Sequence, residues 1–473
     1  MSHRDKECRT GSETYAQELS AAIHGLLSQV DWKGVQLRKD CGWAVSGLVA
    51  AALIWACSSK NTLKGRFAQA MNVARGLGRR LTPVKTSYQA FMKMLVRWTA
   101  ELRACLSPTF RLLMEREFPD QFRSAGYVVL AGDGSKTQLA RTRSNEARYA
   151  PAKTRGKKGK KRRKAARAQR RPRSRTARAQ QARNKKADSP QMALTMLYHV
   201  ALRLPWDWRL GPSDDSERQH LRAMIPHLPA DALVTADCGF VGYEFWSDLL
   251  ASGRQFVIRV GANVRLLKSL GIVRETNGTV YLWPDKAAKR GQRALVLRLV
   301  VVHDGRQPWY LVTSVLDRQR LSDQQVAEIY RRRWRIELFF RHFKQTFGRA
   351  KLRSHKAEHA ECEAEWSLLG LWAVLLHAQI QLPDKDKTRG HLSVARVLSA
   401  FARAIDEHPC RPEAGESLHE LLSSALVDRY HRGDKTSRNY PRKKYESPAG
   451  TPRLLKGTRY QRQRAQELKR QVA

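Results

Sequence analysis

A mixed α/β fold is predicted by three features of the sequence. Apolar residues recur at helical spacing through residues 12–117, two short aliphatic runs at 127–131 and 232–236 each lead into an acidic residue, and alternating strand patterns follow at about 261–316. The first feature is typical of helices, the second of buried strands in an α/β core, and the third of a β-rich insertion. We therefore expect an α/β core that carries a β-rich insertion and follows an all-α N-terminal region.

The composition indicates the kind of partner. The 473 residues include 88 Lys and Arg but only 43 Asp and Glu, which gives a formal net charge of +45. Such an excess is typical of proteins that bind a polyanion, most often nucleic acid. The hydrophobic fraction of 42% is that of a globular protein, so a wholly disordered basic chain is excluded. At about 150 residues per domain, two or three folding units are expected.

The cysteines and the apolar segments indicate the compartment. The seven cysteines are odd in number and scattered, without a C-x-x-C pair, which excludes a disulfide framework or a zinc site of the usual spacing. The longest apolar run, residues 43–57, is 15 residues long, fewer than the ~20 that span a bilayer, so we interpret it as a buried helix. The charged first ten residues lead into no apolar stretch, so no secretory signal is expected. These features favour a reducing, cytoplasmic environment without membrane association.

The N-terminal helical region offers two interpretations. Two predicted helices flank residues 58–61, and the basic residues Lys60, Lys64 and Arg66 lie at this turn. The arrangement is compatible with a helix-turn-helix that reads DNA. A small helical bundle with a solvated basic face explains the same residues equally well.

Two segments carry an extreme positive charge. Residues 147–187 contain no acid, and residues 153–186 hold 18 Lys or Arg. A segment of this composition buries no core, so we expect an inserted loop that is disordered or ordered by DNA, or a non-specific nucleic-acid tether. The chain from Arg432 onward holds 13 Lys or Arg against three acids and is predicted to be a flexible tail that contacts phosphates.

The two aliphatic runs place two acids at strand ends. YVVLAGDGS leads to Asp133, and ALVTADCGF leads to Asp237. A third strand is predicted at 256–260, and further strands at 278–283, 294–302 and 309–316 make up the insertion. Other acids nearby are interpreted as ordinary surface groups: Asp214, Asp215 and Glu217 as a helix start, and Glu244 and Asp248 as the exposed face of the following helix.

A helix predicted from Ser322 to Phe347 carries the most informative pattern. At 100° per residue, four polar residues fall within a stripe of about 60°, opposite an apolar face. The stripe comprises Tyr330, Arg333, Glu337 and Lys344, and the apolar face comprises Ile336, Phe339 and Phe343. A helix that packs its apolar face on a sheet therefore presents one carboxylate among a phenol and two cations. A second helix is predicted at about 358–380.

Asp133, Asp237 and Glu337 together suggest a metal site. Three carboxylates that converge repel one another unless divalent cations lie between them. Two Mg²⁺ ions would neutralise such a cluster and support phosphoryl transfer, and hard cations of this kind prefer oxygen ligands.

The spacing Tyr330-x2-Arg333-x3-Glu337-x6-Lys344 resembles the Y-R-E-K signature of bacterial insertion sequence 4 transposases. DGS after one strand, ADCGFVG after a second, and the β-rich insertion before Glu337 are also similar to that family's arrangement. The resemblance covers about residues 120–385, and the basic segment between the first two acids departs from it. It implies a DDE transposase with a ribonuclease H-like core.

The resemblance also implies roles for single residues. Asp133, Asp237 and Glu337 would be the catalytic, metal-binding triad for two Mg²⁺ ions, with Mn²⁺ as a substitute. DNA would be contacted by Tyr330, Arg333, Lys344, by the basic residue Arg259, and by Trp309, whose ring would stack under a flipped base. Trp283 is the competing candidate for that last role.

The implied activity is metal-dependent hydrolysis at transposon ends followed by strand transfer into target DNA. The implied partners are double-stranded DNA, as terminal inverted repeats and as target, and a second copy of the chain in a synaptic homodimer associated with the bacterial nucleoid. A catalytically inactive DNA-binding relic and a ribonuclease H-like nuclease are the alternatives.

These assignments give a domain division along the chain. It comprises a helical DNA-binding region at 1–117, a first core segment at 118–260 with the basic insert, the β-rich insertion at 261–321, a second core segment at 322–385, and a C-terminal helical region and basic tail at 386–473. A competing H-x-x-E-H pattern at His355–His359 fits an inverted zinc-peptidase motif. No distal third ligand accompanies it, so a charged connection between helices is the preferred interpretation.

Overall fold

The computed structural model describes residues 13–37, 41–77, 82–83, 86–150, 189–303, 308–382, 392–427 and 450–472. Most of the predicted basic insert and the first portion of the predicted basic tail therefore lie outside the described residues. Within them, no helix is both long enough and apolar enough to cross a membrane.

Ten strands of the described chain form one sheet, in the order β10-β6-β7-β8-β9-β5-β4-β1-β2-β3. Only β1–β4, β4–β5 and β6–β10 pair in parallel among these neighbours. The strands are β1 Val128–Gln138, β2 Gln191–His199, β3 Leu204–Pro212, β4 Ala232–Ala236, β5 Gln255–Val260, β6 Arg265–Lys268, β7 Thr279–Leu282, β8 Leu295–Val302, β9 Trp309–Thr313 and β10 Arg453–Lys456. The mixed α/β class is confirmed, and the strands of the predicted insertion continue the sheet of the core.

Fifteen α-helices are described around this sheet. They are α1 Tyr15–Leu27, α2 Val45–Cys57, α3 Leu63–Leu77, α4 Tyr88–Glu117, α5 Pro119–Phe122, α6 Arg143–Tyr149, α7 Glu217–Met224, α8 Tyr243–Ala251, α9 Asp285–Lys289, α10 Asp323–Arg332, α11 Arg335–Arg341, α12 Ala357–Gln381, α13 Val394–Asp406, α14 Leu418–Ser423 and α15 Arg459–Val472. The apolar run at 43–57 is a buried helix as predicted, since ten consecutive residues of α2 are buried.

The N-terminal helices share their core with helices from the C-terminal half. α12 packs against both α2 and α4, and its side chains are buried over most of its length because apolar residues occur all round it. A polar contact adds to this packing: Arg103 on α4 bridges Asp207 on β3 and Glu365 on α12. The N-terminal region is therefore packed on the sheet region rather than separate from it.

The turn between α2 and α3 favours the bundle over a DNA-reading motif. Arg66 is 5% exposed, and its Nε donates to the carbonyl of Lys60 at 3.0 Å. The Lys60 ammonium pairs with Asp406 at 3.1 Å. Of the three basic residues predicted at this turn, only Lys64 is an exposed residue without such a contact in the described chain.

Two predictions about helices and tails are wrong in detail. The continuous helix over 322–347 is broken into α10, α11 and a π-helical segment, His342–Thr346. The end of the basic tail is folded: β10 pairs with β6, and α15 packs Ala465 among Leu267, Tyr281 and Trp283. Burial of this apolar cluster explains why a strongly basic segment acquires regular structure.

Candidate active site

Two parallel strands bring Asp133 and Asp237 together. In the ladder between β1 and β4, Gly132 pairs with Ala236, so the next residue on each strand is one of these acids. Contrary to the strand-end prediction, β1 continues to Gln138 along β2, and Asp133 lies within it. The β4 side of β1 is open from Asp133 onward, because the ladder with β4 stops there.

The glycines that flank Asp133 allow helix α7 to approach β1. A Cβ atom on Gly132 would lie 2.8 Å from a methyl group of Leu221, and one on Gly134 would lie 2.1 Å from the Glu217 carboxylate. A side chain at either position would displace the Leu221 or Glu217 side chain from where it now lies. The AGDGS sequence therefore fixes both an acid on the strand and the helix that covers the strand beside it.

Glu337 reaches the same site from the broken helix. The backbone N–H groups of Arg333, Ile336 and Glu337 each donate to the carbonyl three residues earlier, at 3.1 Å. This tighter winding ends α10 and starts α11, which packs against β1. Arg333 Nη2 donates to Glu337 Oε1 at 2.8 Å, and Arg333 Nη1 lies 3.9 Å from Asp133 Oδ2. Arg333 thus lies between Glu337 and Asp133.

The carboxylates interact electrostatically. Burial raises the pKa of Asp133 to about 7, and the charges of Asp237 and Glu337 add to the rise. The Gly134 N–H, which donates to Asp133 Oδ1 at 2.8 Å, and the Arg333 guanidinium act in the opposite direction. Asp237 accepts a similar bond from the Gly239 N–H at 2.8 Å. The Asp133 side chain is 19% exposed, so its charge is poorly screened by water.

Tyr330 joins two arginines to this cluster. Burial raises the pKa of its phenol, while the positive charges of Arg333 and Arg259 oppose the rise, and the Arg333 guanidinium lies 5.5 Å from the centroid of the Tyr330 ring. Arg333 is 9% exposed, and its Nε–H has no hydrogen-bond partner in the described chain. A buried N–H without an acceptor is costly, so a ligand oxygen at this position would be favourable.

Of the two tryptophans predicted as candidates to stack under a flipped base, Trp309 is the one that is partly exposed. Its ring packs edge-on against Tyr330 with centroids 6.1 Å apart, and the Arg331 guanidinium lies 5.9 Å from its centroid. Trp283 is only 2% exposed, and its Nε1–H donates to the Gln292 carbonyl at 2.8 Å. The geometry therefore favours Trp309 over Trp283 as an aromatic platform.

Lys344 lies on the π-helical segment after α11 and is half-buried, so the pKa of its ammonium is lowered by burial. No hydrogen bond or ion pair joins this ammonium to the carboxylates in the described part of the chain. The extra residue per turn of a π segment shifts Lys344 from the position that an unbroken helix would give it.

Oxygen donors dominate the site, which fits the predicted hard cation. Asp133, Asp237 and Glu337 supply carboxylates from three different elements, and no histidine or cysteine takes part. Within the described ranges, however, no three His, Cys, Asp or Glu side chains already lie close enough to share a metal ion. The Arg333 guanidinium, which contacts Glu337 and approaches Asp133, supplies the positive charge between them.

The sequence interpretation missed Glu217. It was interpreted as part of a helix start, and it is the first residue of α7, but its carboxylate also lies against Gly134. Burial raises the pKa of Glu217, and the charge of Asp237 adds to this rise. The glycine after Asp133 was the available signal, because it shows that something approaches the strand closely at that point.

The competing H-x-x-E-H pattern forms no site. It spans the connection into α12, where His359 lies 3.9 Å from Glu358 beside it, and the described residues around it form no metal-binding cluster. Glu244 and Asp248 lie on α8 as predicted and both pair with Arg222.

The described chain thus combines a mixed sheet, acids that follow the pairing of two parallel strands, and an acid-bearing helix packed on the sheet. The family described as "Transposase DDE domain" matches residues 125–372, which include every residue discussed for this site. The chain belongs to this transposase DDE domain family. The predicted resemblance is thereby confirmed.

A curated relative agrees with this membership. The chain is 28% identical over 214 residues to the transposase InsG for insertion sequence element IS4 of Escherichia coli (strain K12), over 43% of this chain and 46% of that protein. The match thus spans about half the length of the relative. Among solved structures, the piggyBac transposase synaptic complex with hairpin DNA aligns over 92% of this chain and 90% of that chain, with 11% identity and a TM-score of 0.38.

Proposed function

We propose that this protein is a cut-and-paste DNA transposase that hydrolyses DNA at the ends of its element and transfers the freed 3′ ends into target DNA. The observation that carries the proposal is that Asp133 interacts electrostatically with both Asp237 and Glu337, with Arg333 between Asp133 and Glu337, inside a chain of the DDE family. The proposed core is ribonuclease H-like and is built from residues 118–260 and 322–385. Residues 1–117, 261–321 and 386–473 are its proposed additions.

Asp133, Asp237 and Glu337 are the proposed ligands of two Mg²⁺ ions, for which Mn²⁺ would substitute. Bound there, the ions would activate the attacking oxygen and stabilise the leaving oxygen of the phosphodiester. The raised pKa of Asp133 supports this assignment, since a buried carboxylate beside two others gains most from a nearby cation. Arg333 keeps Glu337 in place through their 2.8 Å hydrogen bond before any ion binds.

The cations around the triad would hold the DNA backbone. Arg333 has an unpaired Nε–H to donate to a phosphate oxygen, and the planar guanidinium suits that geometry. Tyr330 and Arg259 interact electrostatically with each other beside it, and Lys344 is a further proposed phosphate contact. These groups orient the scissile phosphate relative to the carboxylates.

The proposed partners are double-stranded DNA, both as terminal inverted repeats and as target, and a second copy of the chain in a synaptic homodimer. The net charge of +45 supports binding to DNA and predicts a steep loss of affinity with added salt. The proposed compartment is the bacterial cytoplasm, where such DNA is present.

The experiment that tests the function uses linear DNA that carries the flanking inverted repeats of the gene. We expect the native chain with Mg²⁺ or Mn²⁺ to cleave at the repeat ends and to join them to a target plasmid. Glu337→Gln should bind the same DNA and cleave it at least a thousandfold more slowly. Cleavage without joining would indicate a nuclease, and binding without cleavage by the native chain would indicate the DNA-binding relic.

Trp309 gives a separate prediction about the closing of a hairpin at the cleaved end. A base stacked on an aromatic ring gains about 1–3 kcal/mol, so Trp309→Ala should slow hairpin closure about 10- to 100-fold while first-strand hydrolysis changes little. Trp309→Phe should retain most of the rate. An equal loss in both steps would show that Trp309 acts by supporting Tyr330, against which it packs.

A further inference from the structure

Helix α7 brings a fourth carboxylate to the candidate active site. Glu217 begins this eight-residue helix, and Leu221 one turn later packs over Gly132 on β1. The missing Cβ of Gly134 leaves the space that the Glu217 carboxylate occupies. Two glycines on either side of Asp133 therefore hold Glu217 at a defined position along the strand.

Glu217 lies where the edge of β1 is open. Gly134 and Asp133 project to opposite faces of the strand, because successive side chains in a strand alternate. The ladder between β1 and β4 ends at Gly132 and Ala236, so β1 has no β4 residue paired with Asp133 or Gly134. Asp237, the residue that follows, interacts electrostatically both with Glu217 and with Asp133. Electrostatic interactions therefore link Glu217 to Asp237, Asp237 to Asp133 and Asp133 to Glu337, and we call these four residues the carboxylate series. In the described residues no three of them lie close enough to share a metal ion.

The Glu217 carboxylate differs from the other three in its partners. Asp133 and Asp237 each accept a hydrogen bond from a backbone N–H, and Glu337 accepts one from the guanidinium of Arg333. Glu217 has no hydrogen bond in the described residues. The cation beside it, Lys136, donates a hydrogen bond from its ammonium group to the Ser213 carbonyl at 2.6 Å. A half-buried carboxylate without a donor, next to another carboxylate, is stabilised by a cation with free coordination positions.

An independent feature of the same centre also points to a ligand. The Nε–H of Arg333, a residue that is more than nine-tenths buried, is unpaired in the described residues and lies beside Glu337 and Asp133. The centre therefore presents unpaired acceptors on the α7 side and an unpaired donor on the α11 side. A cation with a phosphate oxygen would use both.

We propose that Glu217 is a fourth carboxylate ligand of the metal centre, acting with Asp237 on the side of the site opposite Glu337. This inference rests on the proposed function, because it concerns the same centre. The ordinary alternative is an acid that only starts helix α7, where a negative charge interacts favourably with the helix dipole. The two alternatives predict different effects on stability and on metal affinity.

The test is a titration of the full chain with Mn²⁺, in which electron paramagnetic resonance measures the concentration of the free ion. Glu217→Gln should lower the affinity at least tenfold, and Glu217→Asp should lower it less because the charge is kept. The matched control is Glu244→Gln, which removes an acid from the first turn of the neighbouring helix α8. The Glu244 side chain is 66% exposed and pairs with Arg222. It should leave the affinity unchanged.

Thermal unfolding with and without Mn²⁺ separates a ligand from a helix start. For a ligand, the metal-free Tm of Glu217→Gln should equal or exceed that of the native chain, and the rise in Tm on adding Mn²⁺ should shrink. A metal-free Tm below that of the native chain, together with a rise in Tm on adding Mn²⁺ as large as that of the native chain, would overturn the proposal.

Asp133→Asn distinguishes this inference from the proposed function. If Asp133→Asn loses Mn²⁺ affinity and Glu217→Gln binds as the native chain does, only the fourth-ligand inference fails. If the native chain shows no Mn²⁺ affinity that depends on Asp133, the metal centre itself fails, and the proposed function fails with it.

Discussion

Asp133→Asn is expected to abolish DNA cleavage and, at the same time, to make the metal-free protein more stable at pH 8. The amide keeps the size of the side chain and removes a charge that the site disfavours. Its effect on cleavage should equal or exceed that of Glu337→Gln, because Asp133 is central to the carboxylate series. DNA binding should be retained, since the basic surfaces are unchanged.

The stability effect follows from the pKa of Asp133. A pKa raised from 3.8 to about 7 means that the folded protein holds a proton which the unfolded chain has already lost. Between these two values, stability falls as the pH rises, and above pH 7 the loss is complete. The penalty is at most about 4 kcal/mol, and some of it is relieved by relaxation and water. Asp133→Asn should therefore raise the Tm at pH 8 by about 2–6 °C.

The measurement is thermal unfolding in EDTA at pH 5 and pH 8 for the native chain, Asp133→Asn and Asp248→Asn. Asp248 pairs with Arg222 on the surface of α8 and serves as the matched control. The gain should be larger at pH 8 than at pH 5 and should be missing in the control. A Tm for Asp133→Asn below the native value at pH 8 would contradict the electrostatic account. Such a gain in stability with loss of activity is typical of functional sites.

The residues of the site that could be predicted from the sequence are those fixed by local patterns. Tyr330, Arg333 and Glu337 share a face because consecutive helical turns repeat at nearly constant spacing. Asp133 and Asp237 could be predicted because each follows an aliphatic run typical of a buried strand. Local spacing carries these predictions, so they do not depend on knowing how the chain folds back on itself.

The features that escaped prediction depend on distant contacts or on small changes of winding. Glu217 resembles any acid at a helix start, and only the packing of α7 on Gly132 and Gly134 brings it to the site. The break after Arg332 contains no Pro or Gly that would announce it. β10 is a four-residue strand whose partner β6 lies far earlier in the chain, and its charge suggested a tail.

Arg333→Lys should cause a second large loss, although the charge is conserved. Arg333 donates to Glu337, approaches Asp133 and contacts the Tyr330 ring, while its Nε–H remains available. A single ammonium cannot make these contacts at once, because it lacks the planar array of donors. Removing one well-placed donor from a catalytic site typically costs about 10²–10³ in rate, and we expect a loss of that size in end cleavage.

The pH dependence of cleavage should change in a defined direction. The Arg333 charge lowers the pKa of Asp133, so Arg333→Ala should raise that pKa further and move the acid limb of the pH–rate profile to higher pH.

The chain contains a matched control for Arg333→Lys at the preceding residue, since Arg332 pairs with Glu328 four residues away on the exposed side of α10. Arg332→Lys should cleave within about twofold of the native rate, because surface pairs of this kind contribute little. Equal losses for Arg332→Lys and Arg333→Lys would show that α10 supplies only general positive charge, and the specific role of Arg333 between Glu337 and Asp133 would then be wrong.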